Sequence, residues 1–349
     1  MHHGGKERIP FMEKVVYASL GKRSGRVVVG PGLGLDNGVV SLGRGRVMIV
    51  TADPVSAVPA FGMRLSAWMS VHLIASDFTA SGADPQFAAF AYNFPPSMTP
   101  DQKEGFVRAV GAECSRLGVA IVAGHTGSYP GGGFTVIGSG VMFGTSPRDG
   151  YVTPSMARVG DRILMTKHAA IEATSTLARS FPRYLGERVG TDAVRRASSM
   201  TRLCTTVEDA RTARGAGLGG EGVSSMHDAT EGGVLGALQE MATASAKAFV
   251  VDPEKVRVTD EAKAVCEAFG IDPLGTMGEG ALLLTCARER VPEVERRMSR
   301  AAIPVTEVGY VRAGRGLWLA RRGGRTRLEV AGPDGFWAAY DRASGHGLC

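Results

Sequence analysis

The sequence predicts an α/β protein built from two domains. The chain has 349 residues, which is more than one typical domain of about 150 residues contains. Hydrophobic residues make up 44% of the chain and charged residues 21%, a balance typical of globular proteins and not of disordered ones. Short apolar runs alternate with helical patterns along the chain, which favours sheets covered by helices.

The first half contains apolar runs typical of strands, separated by two helical patterns. The helices are predicted over residues 63–81 and 100–117, and Thr99 is well placed to cap the second one. The strands are predicted at residues 26–29, 47–50, 87–92, 120–123, 134–137 and 140–143. This alternation predicts a first α/β domain over residues 1–155, which the turn-rich stretch 147–154 closes.

The second half predicts a mixed domain over residues 156–335, followed by a turn-like, loosely held tail over 336–349. It begins with a strand within 158–166 and a long helical region over 169–216, which Pro182 and Gly186 are expected to interrupt. Further strands are predicted at 223–226, 248–251, 280–285, 304–311 and 316–319, with helices near 260–269 and 290–302.

Composition argues against several classes of function. The net charge is +6, but the basic residues are dispersed and form no track interleaved with aromatic residues, so we expect no nucleic-acid partner. No apolar run is long enough to cross a membrane, and the first residues lack the apolar core of a signal peptide. An odd number of widely spaced cysteines, without a C-x-x-C pair, favours neither a zinc site nor a disulfide framework. We therefore expect a cytoplasmic protein.

The segment His227-Asp228-Ala229-Thr230-Glu231-Gly232-Gly233-Val234 is the most informative motif of the chain. It joins two acids to a pair of glycines, directly ahead of a helix-forming run. Glycines at a helix start let backbone N–H groups approach a ligand, and the helix dipole favours an anion there. The segment is therefore a candidate phosphate site, although a turn with a capping Asp or Thr explains it equally well when it is taken alone.

Three aspartates of the first half are candidate metal ligands. Asp36 follows a glycine-rich turn, Asp53 follows an apolar run, and Asp77 lies in a helical stretch that is otherwise poor in charge. Acids at strand ends converge on the open edge of an α/β sheet, and gathered carboxylates repel one another unless a cation is present. Taken singly, each aspartate is more simply explained as a cap or turn residue.

The ordered set of these motifs resembles the AIR synthase (PurM) superfamily. The set comprises Asp36 in its glycine-flanked turn, Thr51-Ala52-Asp53-Pro54-Val55, Ser76-Asp77 with Ser81-Gly82-Ala83-Asp84-Pro85, Ala123-Gly124-His125-Thr126, and the His227 segment. The resemblance covers nearly the whole chain. It implies an AIR synthase-like fold in which the N-terminal sheet completes a barrel across a homodimer, beside a C-terminal mixed sheet with flanking helices.

The resemblance also implies the cofactors ATP and Mg²⁺. Asp36, Asp53 and Asp77 would hold the phosphates through Mg²⁺, and Asp228 would act near the phosphates from the second domain. The expected nucleotide-binding residues are Gly4, Gly5, Lys6, Gly124, His125, Thr126, His227, Thr230, Gly232 and Gly233. The histidines among them are more simply explained by loop hydrogen bonds.

Within the superfamily, the chain most resembles HypE and HypE-like AIR synthase-related proteins. The residues on which this resemblance rests are Asp272-Pro273-Leu274, Glu279-Gly280 and the terminal Cys349. They imply phosphorylation and dehydration of a carbamoyl group on Cys349, with Glu279 as general base. Two departures oppose this transfer, because the tail lacks the Pro-Arg of HypE and Gly127 stands where HypE has a lysine. Glu279 as a plain turn carboxylate and Cys349 as a solvent thiol remain open.

Three functions follow from these residues. The first is an ATP- and Mg²⁺-dependent HypE-like enzyme that acts on a carbamoyl or amide-type oxygen, together with carbamoyl-transfer and hydrogenase-maturation partner proteins. The second is a small-molecule ligase or kinase of the AIR synthase or thiamine-monophosphate kinase type. The third is an ATP-binding scaffold without turnover, which the loss of the lysine at Gly127 suggests. The sequence does not identify the substrate.

Overall fold

The protein consists of two sheets and their surrounding helices, in a computed structural model that describes residues 5–330, 333–345 and 347. The first sheet contains β1 Val27–Val29, β2 Gly38–Gly43, β3 Arg46–Ser56, β4 Phe87–Phe94, β5 Ala120–Ser128 and β6 Val136–Pro147. The second sheet contains β7 Arg162–Thr166, β8 Val223–Asp228, β9 Ala248–Val251, β10 Leu282–Cys286, β11 Val305–Arg312, β12 Gly316–Arg321 and β13 Gly324–Leu328.

The helices lie between and after these strands. They are α1 Ile9–Phe11, which continues as a π-helical turn over Met12–Val16, α2 Gly62–Thr79, α3 Pro100–Leu117, α4 Ile171–Ser180, α5 Pro182–Val189, α6 Thr191–Ser199, α7 Val207–Arg214, α8 Gly233–Ala244, α9 Asp260–Phe269, α10 Val291–Arg300 and α11 Gly335–Gly345. In the described part of the chain, no helix has the length and apolarity that crossing a membrane would require.

The first sheet has the strand order β1-β2-β3-β6-β4-β5. Its long antiparallel centre pairs β3 with β6, and only β4 with β5 runs parallel. Helices α2 and α3 cover one face, where Ile74, Phe78 and Phe106 are fully buried. The edge strand β5 is not covered by another element, as the exposed fractions of Ile121 and Val122, 46% and 55%, show. An exposed apolar edge of this kind is a surface on which another strand can pair.

The second sheet has the strand order β13-β12-β9-β11-β7-β10-β8. Its strands are antiparallel except for β12 and β9. Helix α8 packs its apolar side, with Val234, Leu238 and Met241, against the sheet core around Phe249. The outer strand β8 lies beside α2 of the first half. The end of β8, where the His227 motif begins, is thereby brought to the junction of the two halves.

Polar contacts fix this junction. The backbone N–H of Thr206 donates to Ser76 Oγ at 2.9 Å. Arg211 and Arg214 of α7 reach across to the two carboxylate oxygens of Asp84, at 2.7 and 2.6 Å. Partial burial raises the pKa of Asp84, but the hydrogen bonds and charges of the two arginines together outweigh it and hold the pKa below its usual value. The two halves are therefore held in a defined relation by paired charges.

Several predicted elements are confirmed. Helix α3 spans Pro100–Leu117 as expected, and the Thr99 side chain accepts from the N–H of Gln102 in a capping box. Helix α9 also has its predicted bounds. The prediction for the region 169–216 was right about Pro182, which begins α5, but wrong about Gly186, which lies inside that helix. The next break falls at Gly190, where φ is 85°.

Three other expectations are corrected. Strands β2 and β13 were not predicted. Asp53 does not follow its strand but lies within β3, paired with Gly140 of β6. The predicted turn-like tail is wrong over most of its length, because residues 335–345 form α11. Its side chains Phe336, Ala339 and Ala343 pack into a core with Phe181 and Phe269, which explains why this segment is helical.

Candidate functional site

The end of β8 joins the two halves of the molecule through one histidine. His227 is 1% exposed, its Nδ1 lies 2.7 Å from Asp36 Oδ2, and its Nε2 lies 2.9 Å from Glu240 Oε2. Asp36 reaches this position because Gly34, with φ 69°, turns the chain tightly against α8, where a Cβ would stand 2.6 Å from the carbonyl oxygen of Glu240. The glycine-rich turn therefore positions the acid that follows it.

The charges in this arrangement stabilise one another. Burial opposes a charge on the His227 ring, but the carboxylates of Asp36 and Glu240 raise its pKa to about 10. Burial also opposes a charge on Glu240, whose pKa is nevertheless lowered to about 2 by the hydrogen bond from His227 and by Lys6. The imidazolium thus holds two carboxylates in place, and both of its nitrogens are engaged.

Three further carboxyls, those of Asp53, Asp77 and Asp228, gather next to the ion pair of His227 with Asp36, so that the acids of the cluster outnumber the two cations beside them, His227 and Lys6. Asp228 is fully buried, and neither of its side-chain oxygens has a hydrogen-bond donor within the part of the chain that the structure describes. Burial, and then the charge of Asp36, raises its pKa to about 7, although His227 opposes the rise. Burial and the charges of Asp53 and Asp228 raise the pKa of Asp77 well above its usual range. These acids repel one another as the chain stands.

This donor set suits a divalent metal ion. Ligand atoms of Asp36, His227 and Asp228 lie within 4.8 Å of one another. Because His227 uses both nitrogens on carboxylates, the oxygens of the aspartates are the atoms left to bind an ion. Mg²⁺ prefers oxygen ligands, and it would relieve both the repulsion and the unpaired oxygens of Asp228. Asp53 and Asp77 adjoin the group, as the effect of both Asp53 and Asp228 on Asp77 indicates.

The N-terminal segment contacts the same group of acids. Lys6 donates from its backbone to Glu231 Oε2 at 2.6 Å, and its Nζ lies 2.9 Å from Thr230 Oγ1 and 3.4 Å from Glu240 Oε1. A Cβ at Gly5 would meet the side chains of Glu231 and Trp337, so this position leaves room only for glycine. The structure thus brings Gly5, Lys6 and Thr230 to the carboxylate cluster. Gly4 lies outside the described residues.

The helix start predicted as a phosphate site uses its donors within the chain. The N–H of Gly232 donates to Asp334 Oδ2 at 2.8 Å, that of Gly233 to the Thr230 carbonyl, and that of Leu235 to the Leu274 carbonyl. Gly233 has φ 61°, and a Cβ there would stand 2.5 Å from the Thr276 carbonyl oxygen. The glycine pair therefore serves close packing, and a protein carboxylate takes the place expected for an anion.

Glu279 adjoins the carboxylate cluster and two other buried polar groups, Glu172 and Cys204. It precedes β10, exposes 9% of its surface, and its Oε2 has no hydrogen-bond partner among the described residues. Burial, followed by the charges of Asp228 and Glu172, raises its pKa well above the usual range. Burial raises the pKa of Glu172 to about 8, with Glu231 and Asp334 adding to the rise. Burial and Glu172 likewise raise the pKa of the Cys204 thiol.

The segment Gly124, His125 and Thr126 lies elsewhere in the chain's own fold. These residues belong to the edge strand β5, next to β4, and are exposed. His125 Nε2 lies 2.6 Å from the Tyr129 hydroxyl, and the two rings stack. A Cβ at Gly127 would stand 2.7 Å from the Tyr129 ring, so tyrosine fills the space beside the missing lysine. Among the residues that the structure describes, the side chains of His125 and Thr126 make no hydrogen bond or ion pair with the acids of the cluster.

Sequence reasoning did not single out Glu240, Glu172, Asp334 or Tyr129. Glu240 lies two helical turns after Gly233, and its relation to His227 depends on how α8 crosses β8. Asp334 is the second-last residue of the predicted second domain. It stands just ahead of a tail that was predicted to be loosely held, so nothing pointed to a role for it. A usable signal existed for Glu172, because one acid stands in the otherwise uncharged run Ala169–Leu177. Burial of that acid is the unusual fact.

Known proteins resemble this chain in sequence and in fold. The chain is 25% identical over 261 residues to carbamoyl dehydratase HypE of Rhizobium leguminosarum bv. viciae, covering 73% of this chain and 70% of that one. A HypE–HypF complex gives a TM-score of 0.71 at 19% identity, covering 91% of this chain and 99% of that chain.

Two further structures contain nucleotides. HypE in complex with ATP gives a TM-score of 0.64 at 18% identity, covering 96% and 97% of the two chains. AaThiL complexed with AMPPCP and TMP gives a TM-score of 0.69 at 17% identity, covering 93% of this chain and 98% of that chain. At identities this low, what the TM-scores establish is a shared fold. Residues 34–145 match the N-terminal domain of AIR synthase related proteins, and residues 158–319 match their C-terminal domain. The chain belongs to the AIR synthase related protein family.

Proposed function

We propose that this protein is an ATP- and Mg²⁺-dependent enzyme that phosphorylates a carbamoyl or amide-type oxygen, as a HypE-like member of its family. The observation that carries the proposal is the group of carboxylates at the junction of the two sheets, where both side-chain oxygens of the buried Asp228 lack a partner in residues 5–330, 333–345 and 347. With Asp36 and Glu240 the cluster holds five carboxyls against the two cations His227 and Lys6, so a bound cation would offset the excess of acids. HypE relatives and the ATP-bound HypE structure support the choice of nucleotide.

The residues of the chain divide the work. Asp36, Asp53, Asp77 and Asp228 would hold Mg²⁺, which when bound with ATP would neutralise the charge that develops on the phosphates. His227 is a positioning residue, because it fixes Asp36 and Glu240 and has no free nitrogen. Lys6 supplies a positive charge beside Thr230 and Glu240. Glu279 is placed to accept a proton, because burial keeps its pKa high.

A second copy of the chain is part of the proposal. The edge strand β5 exposes Ile121 and Val122 beside Gly124, His125 and Thr126. Pairing of this edge with the same strand of a partner would cover the apolar residues and remove the open edge. We propose that the homodimer forms here, and that His125 with Tyr129 meets the nucleotide of the partner. Gel filtration with light scattering, compared with a Val122→Lys variant, would test the dimer.

The finer reaction concerns Cys349, which lies outside the described residues. We propose that Cys349 carries a carbamoyl group that is dehydrated, with a carbamoyl-transfer protein as donor partner and a hydrogenase-maturation system as consumer. The test is to incubate the protein with such a partner, its carbamoyl donor and ATP, and to weigh the peptide that contains Cys349. Gain of a carbamoyl group followed by loss of one water supports the proposal, and a carbamoylated peptide that never loses water refutes the dehydration.

The absence of a lysine at Gly127 favours a second candidate, a small-molecule ligase or kinase. Tyr129 occupies the space beside Gly127 and offers a hydroxyl in place of an ammonium group. A phosphate-release assay with small amides, alcohols and phosphate monoesters separates the two reactions, because turnover of a free substrate would be unchanged in Cys349→Ala. Asp53→Asn should abolish turnover in either case. If ATP binds but no substrate or partner releases phosphate, the protein is a nucleotide-binding scaffold.

A further inference from the structure

A cavity of about 290 Å³ opens where the end of β7 meets the segment ahead of α7. Its volume is close to the lower limit of about 300 Å³ for ligand pockets, so it suits a small ligand. The titratable residues that line it are Lys167, His168, Arg202, Glu208, Asp209 and Arg257. None of them belongs to the carboxylate cluster at the end of β8. The cavity is therefore separate from the site described above.

Both acids of the cavity are already paired with a cation. Lys167 Nζ lies 2.7 Å from Asp209 Oδ2, and both side chains are nearly buried. Arg211, which lies outside the cavity, places its Nη1 2.7 Å from Glu208 Oε1. Each negative charge at the cavity is thus balanced within the chain, so neither acid leaves a net negative charge to repel an anion.

Two arginines at the cavity have no such balance. Neither Arg202 nor Arg257 forms an ion pair with a carboxylate in the described part of the chain. His168 adds no charge near neutral pH, because burial lowers its pKa, although the hydrogen bond to the Ala169 carbonyl opposes the shift. The cavity therefore carries an excess of two positive charges.

The wall that carries Arg202 is held in a fixed position. The Arg202 guanidinium lies 4.8 Å from the centroid of the Trp68 ring, which engages its flat face and leaves the N–H groups at its edge for a ligand. Lys167 Nζ donates to the carbonyl of Thr205 at 2.8 Å, and Thr205 Oγ1 lies 3.0 Å from Nδ1 of His72. The segment that follows Arg202 is therefore tied to β7 on one side and to α2 on the other.

The number and type of these charges specify the ligand. A phosphate monoester carries a charge of about −1.5 to −2 at pH 7, which matches two guanidinium groups, whereas a carboxylate carries only one negative charge. The planar fork of N–H donors on each arginine also fits two oxygens of one phosphate group. A small dianion of the phosphate type is therefore the ligand that satisfies both arginines.

We propose that this cavity is a second ligand site, which binds a phosphate group, free or as a small monoester, through Arg202 and Arg257. The site needs neither the nucleotide nor the metal ion of the proposed function, and it stands or falls independently of them. It lies close to the candidate active site, because Leu203 and Cys204, which follow Arg202, pack directly on Gly280, the neighbour of Glu279.

The test is calorimetric titration of inorganic phosphate, glycerol 3-phosphate and acetate at constant ionic strength. The protein is first freed of divalent ions on a chelating resin, so that no metal ion can hold phosphate at the carboxylate cluster. We expect the wild type to bind inorganic phosphate at least about tenfold more tightly than acetate. Equal binding of glycerol 3-phosphate would identify a monoester as the ligand, and weaker binding would identify free phosphate.

Variants of the two arginines locate the site. Arg257→Gln should weaken phosphate binding at least about tenfold, because one of the two forks is lost. Arg202→Gln should do the same, and Arg257→Gln keeps the test valid if loss of the Trp68 contact unfolds the other variant. Arg195→Gln is the matched control, because it removes one positive charge from an exposed ion pair with Asp192 and should leave binding unchanged.

Three results would overturn the inference. The first is that the wild type shows no saturable binding of either phosphate compound up to about 10 mM, a weaker affinity than a specific site should have. The second is equal affinity for phosphate and acetate. The third is that phosphate binding is unchanged in Arg257→Gln, or falls as much in Arg195→Gln, since either would mean that the cavity does not hold the phosphate.

Discussion

His227 Nδ1 lies 2.7 Å from Asp36 Oδ2, although the two residues are 191 positions apart in the chain. One belongs to the second sheet and the other to the loop ahead of β2, so this contact joins the two halves at the centre of the carboxylate cluster. The second ring nitrogen of His227, Nε2, holds Glu240 of α8 in the same way. The histidine therefore organises the acids and leaves their remaining oxygens for a ligand.

Replacing His227 by alanine should destabilise the protein. The change leaves Asp36 and Glu240 without their shared partner, and breaking a buried ion pair from one side costs about 3 kcal/mol. Chemical denaturation followed by circular dichroism measures the change in the free energy of unfolding. Arg108→Ala is the control, because its ion pair with Glu104 is well exposed and should contribute less than about 0.5 kcal/mol. A similar small loss for both variants would contradict the organising role of His227.

Asp228→Asn should separate stability from ligand binding. Removing one charge from a group of mutually repelling carboxyls should raise the melting temperature of the ligand-free protein. The same change should weaken binding of Mg²⁺ with an ATP analogue by on the order of tenfold, because it removes a negatively charged oxygen ligand. Scanning fluorimetry with and without these ligands measures both effects. Lower stability in the absence of ligand would show that Asp228 has a structural partner.

Gly233→Ala should be far more damaging than a similar change inside a helix. Its φ is 61°, and the added Cβ would stand 2.5 Å from the Thr276 carbonyl oxygen, so strain and backbone displacement add up. We expect a loss above about 2 kcal/mol. Gly105→Ala in α3 is the comparison, because it has open space and should stabilise the helix by about 0.5–1 kcal/mol. Thermal melts of both variants test this, and a tolerated Gly233→Ala would be inconsistent with the packing described.

The stability of the protein should fall as the pH drops through the range in which His72 titrates. Burial lowers the pKa of His72 from 6.5 to about 4, although Glu113 opposes the shift. Because the folded state binds the proton less well than the unfolded state, the contribution of His72 is complete above pH 6.5 and is lost as the pH falls toward 4. At pH 5 the loss should be about 2 kcal/mol.

The His72→Gln variant isolates this contribution. Glutamine does not titrate but can still hydrogen-bond to Thr205 Oγ1, which lies 3.0 Å from His72 Nδ1. We therefore expect the variant to lose about 2 kcal/mol less than the wild type between pH 7 and pH 5, as measured by urea denaturation at each pH. Parallel pH profiles for the two proteins would place the acid sensitivity in other groups.

Local signals in the sequence predicted the regular elements well. Helix α3 was predicted from its helical pattern and from Thr99 as its cap, information that lies within a few residues, and the structure adds Gln102 as the second member of a capping box. Strand β13 escaped notice because its sequence Gly-Arg-Thr-Arg-Leu is polar, and its pairing with β12 supplies the stability. The tail was misjudged for a similar reason, since α11 depends on packing against Phe181 and Phe269.

In the candidate site too, residues with a local sequence signal were predicted, and residues that depend on tertiary packing were not. Asp36, Asp53, Asp77 and Asp228 were identified because each is an acid beside glycine or in an apolar run. Their grouping depends on how β8 lies against α2, which no local pattern contains. Glu240 and Asp334 could not be predicted, because the first depends on the crossing of α8 over β8 and the second on the docking of α11. The N–H of Gly232, which the helix-start rule offers to an anion, donates to Asp334 Oδ2, and no local pattern brings that residue there.

Because His227 and Asp36 are in contact, the chain cannot be cut between its two sheets without separating the residues of the cluster. A cut between β6 and β7 would leave Asp36, Asp53 and Asp77 on one polypeptide and His227, Asp228 and Glu240 on the other. Each fragment would expose charged groups whose partners lie on the missing piece, so neither would keep the ion-binding geometry alone. Separately made halves would have to find each other before any chemistry could begin, which favours inheritance of the two sheets as a single unit.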